Sequence, residues 1–244
     1  MRKGCILFCL CMAPAMLQAQ YLYRTQLYRA APGKLEQLIA TFKSRMDVFE
    51  KGGIQKPVLI RHSQGDHWDL LLLQPVESYA VYYSSENIQK REQAAAPSGM
   101  TVEEFEERLN QLVSWNEDLF VQGPPLEQFN KALANTGYYH VEMFIALAGK
   151  HDELYRQREM ENIYLEHLGR PQNLIFHRGQ GAAWDLFTLG AYSDLKHFAA
   201  SADIPAFKED EAARKAGFES AGKIGFYLRS LILRHNDTLA GRVN

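Results

Sequence analysis

The sequence predicts an α+β protein in which one β-α-β-β-α-β unit occurs twice. Two observations carry that expectation. The chain of 244 residues repeats four blocks in the same order. Tyr23–Lys34 returns as Tyr139–Lys150, Leu59–His62 as Leu174–His177, Trp68-Asp69-Leu70 as Trp184-Asp185-Leu186, and Asn116–Leu119 as Asn236–Leu239. Within each copy, the apolar spacing switches between the strand period and the helix period in the same sequence of elements. A repeat of this length is a whole small domain, not a solenoid unit.

The first copy justifies the unit element by element. Tyr, Thr and Leu alternate with Arg and Gln over residues 21–30, which predicts a strand. Pro32-Gly33 ends it. Leu35, Leu38, Phe42, Met46 and Phe49 then recur at helical spacing, and Gly52-Gly53 closes that helix. Val58–His62 reads as the second strand and Ser63-Gln64-Gly65-Asp66 as a turn. Trp68–Leu73 is a third strand, apolar on both faces and so buried on both, with Pro75 expected to break it. Tyr79–Asn87 is helical and Ala94–Gly99 a flexible insert. Thr101-Val102-Glu103-Glu104 has the form of a capping box before a Phe105–Leu112 helix, and Glu117–Val121 is a short fourth strand. The second copy starts at Tyr138, with Pro124-Pro125 and Asn135-Thr136-Gly137 flanking the junction. Its last helical region, Ala212–Leu233, is longer than its partner, and Ser230–His235 either continues it or starts the last strand.

This order is the split βαβ arrangement of a ferredoxin-like domain. The expected organisation is a leader over residues 1–19, a first repeat over 20–130 and a second over 131–244. The leader has Arg2 and Lys3, then apolar Cys5–Leu17, then Ala19 at a cut site, which is the pattern of a secretory signal peptide. The apolar run is short for a membrane span. Cys5, Cys9 and Cys11 all lie in it, so the mature chain is expected to have no disulfide, no thiolate nucleophile and no cysteine-bound metal. The reading is an exported protein, periplasmic or secreted, without a stable membrane span after cleavage. A net charge of −2 argues against a nucleic-acid partner. Self-association is left open.

Two linked units, each with Trp-Asp opening its third strand, resemble the dimeric α/β-barrel superfamily, which includes NIPSNAP-type and antibiotic-biosynthesis-monooxygenase-type proteins. The resemblance implies two ferredoxin-like sheets closed into one barrel, here within a single chain. The superfamily holds cofactor-free oxygenases, haem-degrading and chlorite-decomposing enzymes, isomerases, dehalogenases and proteins without known activity. Fold-level likeness therefore says little about activity.

The candidate site follows from strand alternation. Arg24, Gln26 and Tyr28 share one face, as do His140, Glu142 and Phe144. The opposite face, Tyr139-Val141-Met143-Ile145, is apolar and is expected to meet the helices. The polar stripe is then expected to point into the barrel. His140 beside Glu142 can act as a general base. Alternatively, Glu142 pairs with a cross-strand arginine such as Arg24 and only fills a polar interior. His62 and His177 fall at matching block positions, either as paired site residues or as two copies of one structural contact. Asp69 and Asp185 either anchor their hairpins by capping turn amides or take part in chemistry. His235-Asn236-Asp237 is a polar cluster, and His140, Glu142 and His235 make the second copy the better place for a site.

Catalysis is thus assigned to His140 and Glu142, and substrate contact to Arg24, Gln26, His62, His177 and His235. No His-x-x-x-His or His-Glu-x-x-His spacing and no Gly-x-Ser-x-Gly elbow occurs, so neither a metal nor a cofactor is expected. Two function classes remain. One is a protein that binds or oxidises a small aromatic or polyketide-like molecule in the barrel without a cofactor. The other is a non-catalytic periplasmic binding or structural module. Whether the chain is an enzyme stays open.

Overall fold

The computed structural model describes residues 21–243. The leader at residues 1–19, its three cysteines and the start of the first repeat at residue 20 lie outside the described residues. The first half runs β1 (Tyr21–Ala30), α1 (Leu35–Lys51), β2 (Val58–Gln64), β3 (Leu70–Glu77), α2 (Tyr79–Tyr82), α3 (Ser85–Ala95), α4 (Val102–Leu112) and β4 (Val113–Gly123). A connecting helix follows, α5 (Leu126–Leu133). The second half runs β5 (Tyr138–Ala146), α6 (His151–His167), β6 (Leu174–Gln180), β7 (Leu186–Tyr192), α7 (Leu195–Ala199), α8 (Ala206–Lys215), α9 (Ala221–Arg229) and β8 (Ile232–Arg242).

The eight strands close into one antiparallel barrel in the order β1-β3-β2-β8-β5-β7-β6-β4. Each half contributes four neighbours, and the β2–β8 and β4–β6 ladders join the halves. Closure removes the open edges that a four-stranded sheet would present. Several sequence expectations are met. The capping box forms: Glu104 donates its amide to the Thr101 hydroxyl, and the Thr101 amide donates back to the Glu104 carboxylate. β3 is buried over Leu70–Val76. Others are corrected. Pro75 does not break β3. It pairs with Tyr23 where the β1 register shifts, a position at which its missing N–H costs little. The Tyr79–Asn87 helix is two helices, with Ser78 and Ser84 each capping one. The Ala212–Leu233 region is split at Gly217, whose φ of +93° ends α8, and the chain is already in β8 at Ile232.

The interior assignment is also reversed. Tyr23, Leu27, Tyr139, Val141 and Met143 form one cluster with Phe176, Phe187 and Trp68, which fills the barrel. The Phe176 and Phe187 rings stack at 4.5 Å, and Phe129 and Leu133 of α5 join the same cluster. The barrel is therefore a packed core. The polar stripe points the other way, at the helices. Tyr28 packs against Leu38 and Phe42 of α1, and Phe144 against Leu154 of α6 and Leu228 of α9. The cause is burial on two levels. The interior is shared by both sheets and its side chains are buried from both sides, so the more apolar face takes it.

Both hairpins are anchored alike. Asp69 accepts the Ala30 amide at 2.8 Å, and Asp185 accepts the Ala146 amide at 2.9 Å. One of the two sequence readings had these carboxylates capping turn amides; each instead takes the last amide of the neighbouring strand, β1 or β5. The ladders also correct the match between His62 and His177. The His62 amide donates to Asp69 and the Arg178 amide to Asp185, so His62 corresponds to Arg178. His62 packs on Trp68 at the barrel end, while His177 faces Tyr155 of α6.

Candidate functional site

With the stripe turned outward, the space between each half-sheet and its helices becomes the place to look. In the first half that space is a cavity of about 420 Å³. Its floor is Arg24, Gln26 and Tyr28 of β1, Leu72 and Gln74 of β3, and Asn116 and Asp118 of β4. Phe42, Arg45 and Met46 of α1 and Phe105 and Leu109 of α4 form its walls. Tyr82 and Arg91 stand at its rim.

The polar groups of this cavity are unevenly satisfied. Asp118 is held by both Arg24, through Nε at 2.9 Å and a second short contact, and Gln26 Nε2 at 2.9 Å. Arg24 also donates to the Tyr82 hydroxyl at 2.8 Å. Arg91 donates to the Tyr82 carbonyl at 2.9 Å and lies over its ring. Arg45 differs. It is 9% exposed, its guanidinium lies 4.8 Å from the Phe105 ring centre, and its Nη1 is buried without a hydrogen-bond partner. Burial pushes this guanidinium below its ordinary value, and the nearby Glu106 charge only partly opposes that. An unpaired buried donor on a cation is costly, and an anionic ligand group is what would satisfy it.

The second half puts different chemistry in the same place. His140, Glu142 and Asp237 bring their ligand atoms within 4.8 Å of one another. Glu142 and Asp237 are direct partners in the β5–β8 ladder, as Gln26 and Asp118 are in β1–β4. His140 Nε2 lies 3.2 Å from Asp237 Oδ1, and His235 Nε2 lies 2.9 Å from Asp237 Oδ2. Glu142 accepts from Thr188 at 3.1 Å and meets Arg158 of α6 at 3.5 Å. Its partner is thus a helix arginine and not Arg24. Arg158 also pairs with Glu161 and lies 4.9 Å from the centre of the Phe144 ring. Burial alone would lower the His140 imidazole, but the bond to Asp237 and the charges of Glu142 and Glu161 outweigh it and raise it. The bond to His140 holds Asp237 below the usual carboxylate range against the effect of burial. Burial raises Glu161.

Of the residues singled out in the sequence, His140, Glu142 and His235 come together, and Arg24 and Gln26 lie in the other half's cavity. His62 and His177 belong to neither. Sequence reasoning missed Arg45, Asp118, Arg158 and Tyr82. Asp118 had a signal, because a one-residue correction of the fourth repeat block aligns it with Asp237. Haem, raised by the resemblance, finds no fit in the first-half cavity, whose lining offers no histidine or cysteine. In the second half the position of Phe42 is held by Arg158, whose buried side chain pairs with Glu142 and Glu161.

No known family and no curated protein matches the chain. Solved structures do. An anthrone oxidase-like protein aligns with a TM-score of 0.55 and 13% identity, covering 93% of this chain and 92% of that one. A provisionally named monooxygenase from Fusobacterium nucleatum gives 0.55 at 10% identity, over 93% and 94%. A provisionally named chlorite dismutase gives 0.50 at 11%, over 92% and 95%. At these identities the likeness shows the fold: a ferredoxin-like α/β barrel.

Proposed function

We propose that this protein binds a small aromatic or polyketide-like molecule carrying an anionic group, in the first-half cavity between the sheet and helices α1 and α4. The observation that carries this is the Arg45 guanidinium, whose Nη1 is buried without a hydrogen-bond partner, in a cavity walled by Phe42, Met46, Phe105 and Leu109. The volume of about 420 Å³ lies in the range of small-molecule sites. Phe105 and Phe42 supply flat apolar contact, and Arg45 supplies the counter-charge.

Binding is favoured over cofactor-free oxidation by the state of Asp118. Its carboxylate is already committed to Arg24 and Gln26, which leaves it poorly placed to take a proton from a ligand. The experiment is a calorimetric titration of 1-hydroxy-2-naphthoate against neutral 2-naphthol. The acid should bind at one site. Arg45→Met should weaken it by about tenfold to a hundredfold, the worth of a hydrogen bond to a charged group. Equal affinity of the variant and the parent for the acid would sink the assignment.

Two further parts of the reading are proposals of the same kind. The chain is a tandem duplication of one ferredoxin-like unit. This is supported by backbone bonds that recur between equivalent residues, such as Lys34 to Ala31 and Lys150 to Leu147, or Asp69 to Tyr28 and Asp185 to Phe144. It is an exported protein, on the strength of the leader pattern. Among the described residues, no helix is long and apolar enough to cross a membrane.

A further inference from the structure

We propose that the second half holds a divalent transition metal, Zn²⁺ by ligand type, bound by His140, Glu142 and Asp237, with His235 positioning Asp237. Three features of the molecule point there. The first is the donor set. One imidazole nitrogen and two carboxylates from neighbouring strands converge on one point, and mixed nitrogen–oxygen sites of this kind suit zinc. The second is charge. Three carboxylates, Glu142, Glu161 and Asp237, gather around one buried guanidinium, that of Arg158, which pairs with Glu142 and Glu161 and leaves Asp237 to the two imidazoles. A dication neutralises that excess of carboxylates. The third is support around the ligands. Thr188 and Arg158 fix Glu142 from two sides, and His235 holds the second oxygen of Asp237 while stacking on Phe144 at 5.7 Å. Metal ligands are commonly oriented by such outer partners.

The geometry is close to what an ion needs. Ligand atoms about 2.1 Å from a tetrahedral zinc stand about 3.4 Å apart. The three donors span up to 4.8 Å, so they must draw in by roughly an ångström. The two that can move are the more open ones. The Asp237 side chain is 52% exposed and that of His140 is 21% exposed, against 11% for Glu142. Asp237 is also the route by which an ion would enter. Sequence spacing could not show this site, because the donors sit on β5 and β8 and meet only through the ladder that pairs Glu142 with Asp237.

The competing arrangement is a cluster balanced by protons on His140 and Glu161 in place of an ion. Full-length protein stripped with chelator and titrated with Co²⁺ separates the two. The proposal expects one equivalent of Co²⁺, with visible d–d absorption of a four- or five-coordinate centre, displaced by Zn²⁺. Asp237→Asn and His140→Ala should each weaken Zn²⁺ binding at least about tenfold, and His235→Gln by about tenfold to a hundredfold, as outer-partner changes do. His177→Ala, at a residue that meets Tyr155 and lies outside the His140–Glu142–Asp237 group, should leave Zn²⁺ affinity unchanged. Circular dichroism confirms that each variant is folded. Absence of the d–d band in the parent protein overturns the proposal whatever the variants do. So does Zn²⁺ affinity that is the same in Asp237→Asn and the parent.

Discussion

Arg45 and Glu161 occupy the same place in the two halves, on α1 and α6, three residues after Phe42 and Arg158 respectively. With Arg24 against His140, Gln26 against Glu142 and Phe42 against Arg158, a few side-chain differences set an arginine-bearing cavity in one half and a histidine–carboxylate cluster in the other. Side-chain identity, not fold, therefore separates the two candidate sites. Small residues are under tighter control in the barrel itself. A Cβ on Gly123 would stand 2.4 Å from Phe176 and 3.0 Å from Tyr23, two rings at the centre of the packed interior. Neither ring can retreat, since Phe176 also stacks on Phe187. Gly123→Ala should cost about 1–3 kcal/mol as overpacking. Gly137→Ala is the internal control, because its Cβ would meet nothing nearer than 3.5 Å. Thermal melts of the two variants should differ by several degrees, and equal melting temperatures would show that the barrel has room to spare.

At the scale of elements, the β2–β3 hairpin is pinned to β8 by polar groups. Gly65, with a φ of +119°, lets the turn lie against the Asp237–Thr238 backbone, which a Cβ would strike. Asp66 then takes a hydrogen bond from Asn236 at 3.0 Å and from the His67 amide at 2.7 Å. Burial by itself would raise the Asp66 carboxyl, but these bonds outweigh it and hold it below its ordinary 3.8. A carboxylate with a depressed folded-state pKa adds stability that is complete above the unfolded value and is lost as pH falls through the folded one. Stability should therefore drop below about pH 4, and Asp66→Asn should flatten that drop while lowering stability at neutral pH. Chemical denaturation at pH 3 and pH 7 checks it; an unchanged pH slope in the variant would remove Asp66 from the account. The elements themselves were legible in the sequence. Alternation marked β1 and β5, the 3.6 period marked α1, and Thr101 to Glu104 marked the start of α4. What was not legible was which side of β1 and β5 faced inward. Alternation defines two faces and says nothing of which one a second sheet will cover. The His62–His177 match failed for a related reason. Residue likeness aligned two histidines, whereas hydrogen-bond register, which places His62 with Arg178, decides position in a sheet. Helix α5 was missed because Leu126–Leu133 followed two prolines and read as linker, although Phe129 and Leu133 belong to the barrel core.

At the scale of the whole molecule, the halves depend on each other through the seams. Alone, the first half would leave β2 and β4 as unpaired edges, since their outer partners are β8 and β6. It would also expose one side of the interior cluster, in which Tyr23 packs on Phe176 of the other half. Open edges beside an apolar face invite pairing with another copy. The two seams are alike in kind, because each joins the second strand of one half to the last strand of the other. Two copies of the first half can therefore make both seams by pairing β2 of each with β4 of its mate. A chain of residues 21–124 should thus form a dimer with the mass of an intact barrel, and it should fall apart and unfold together on dilution. Sedimentation and circular dichroism across a concentration series test this. A folded monomer of that segment would mean that the first-half sheet is stable without its mate, and that barrel closure is not the source of its stability.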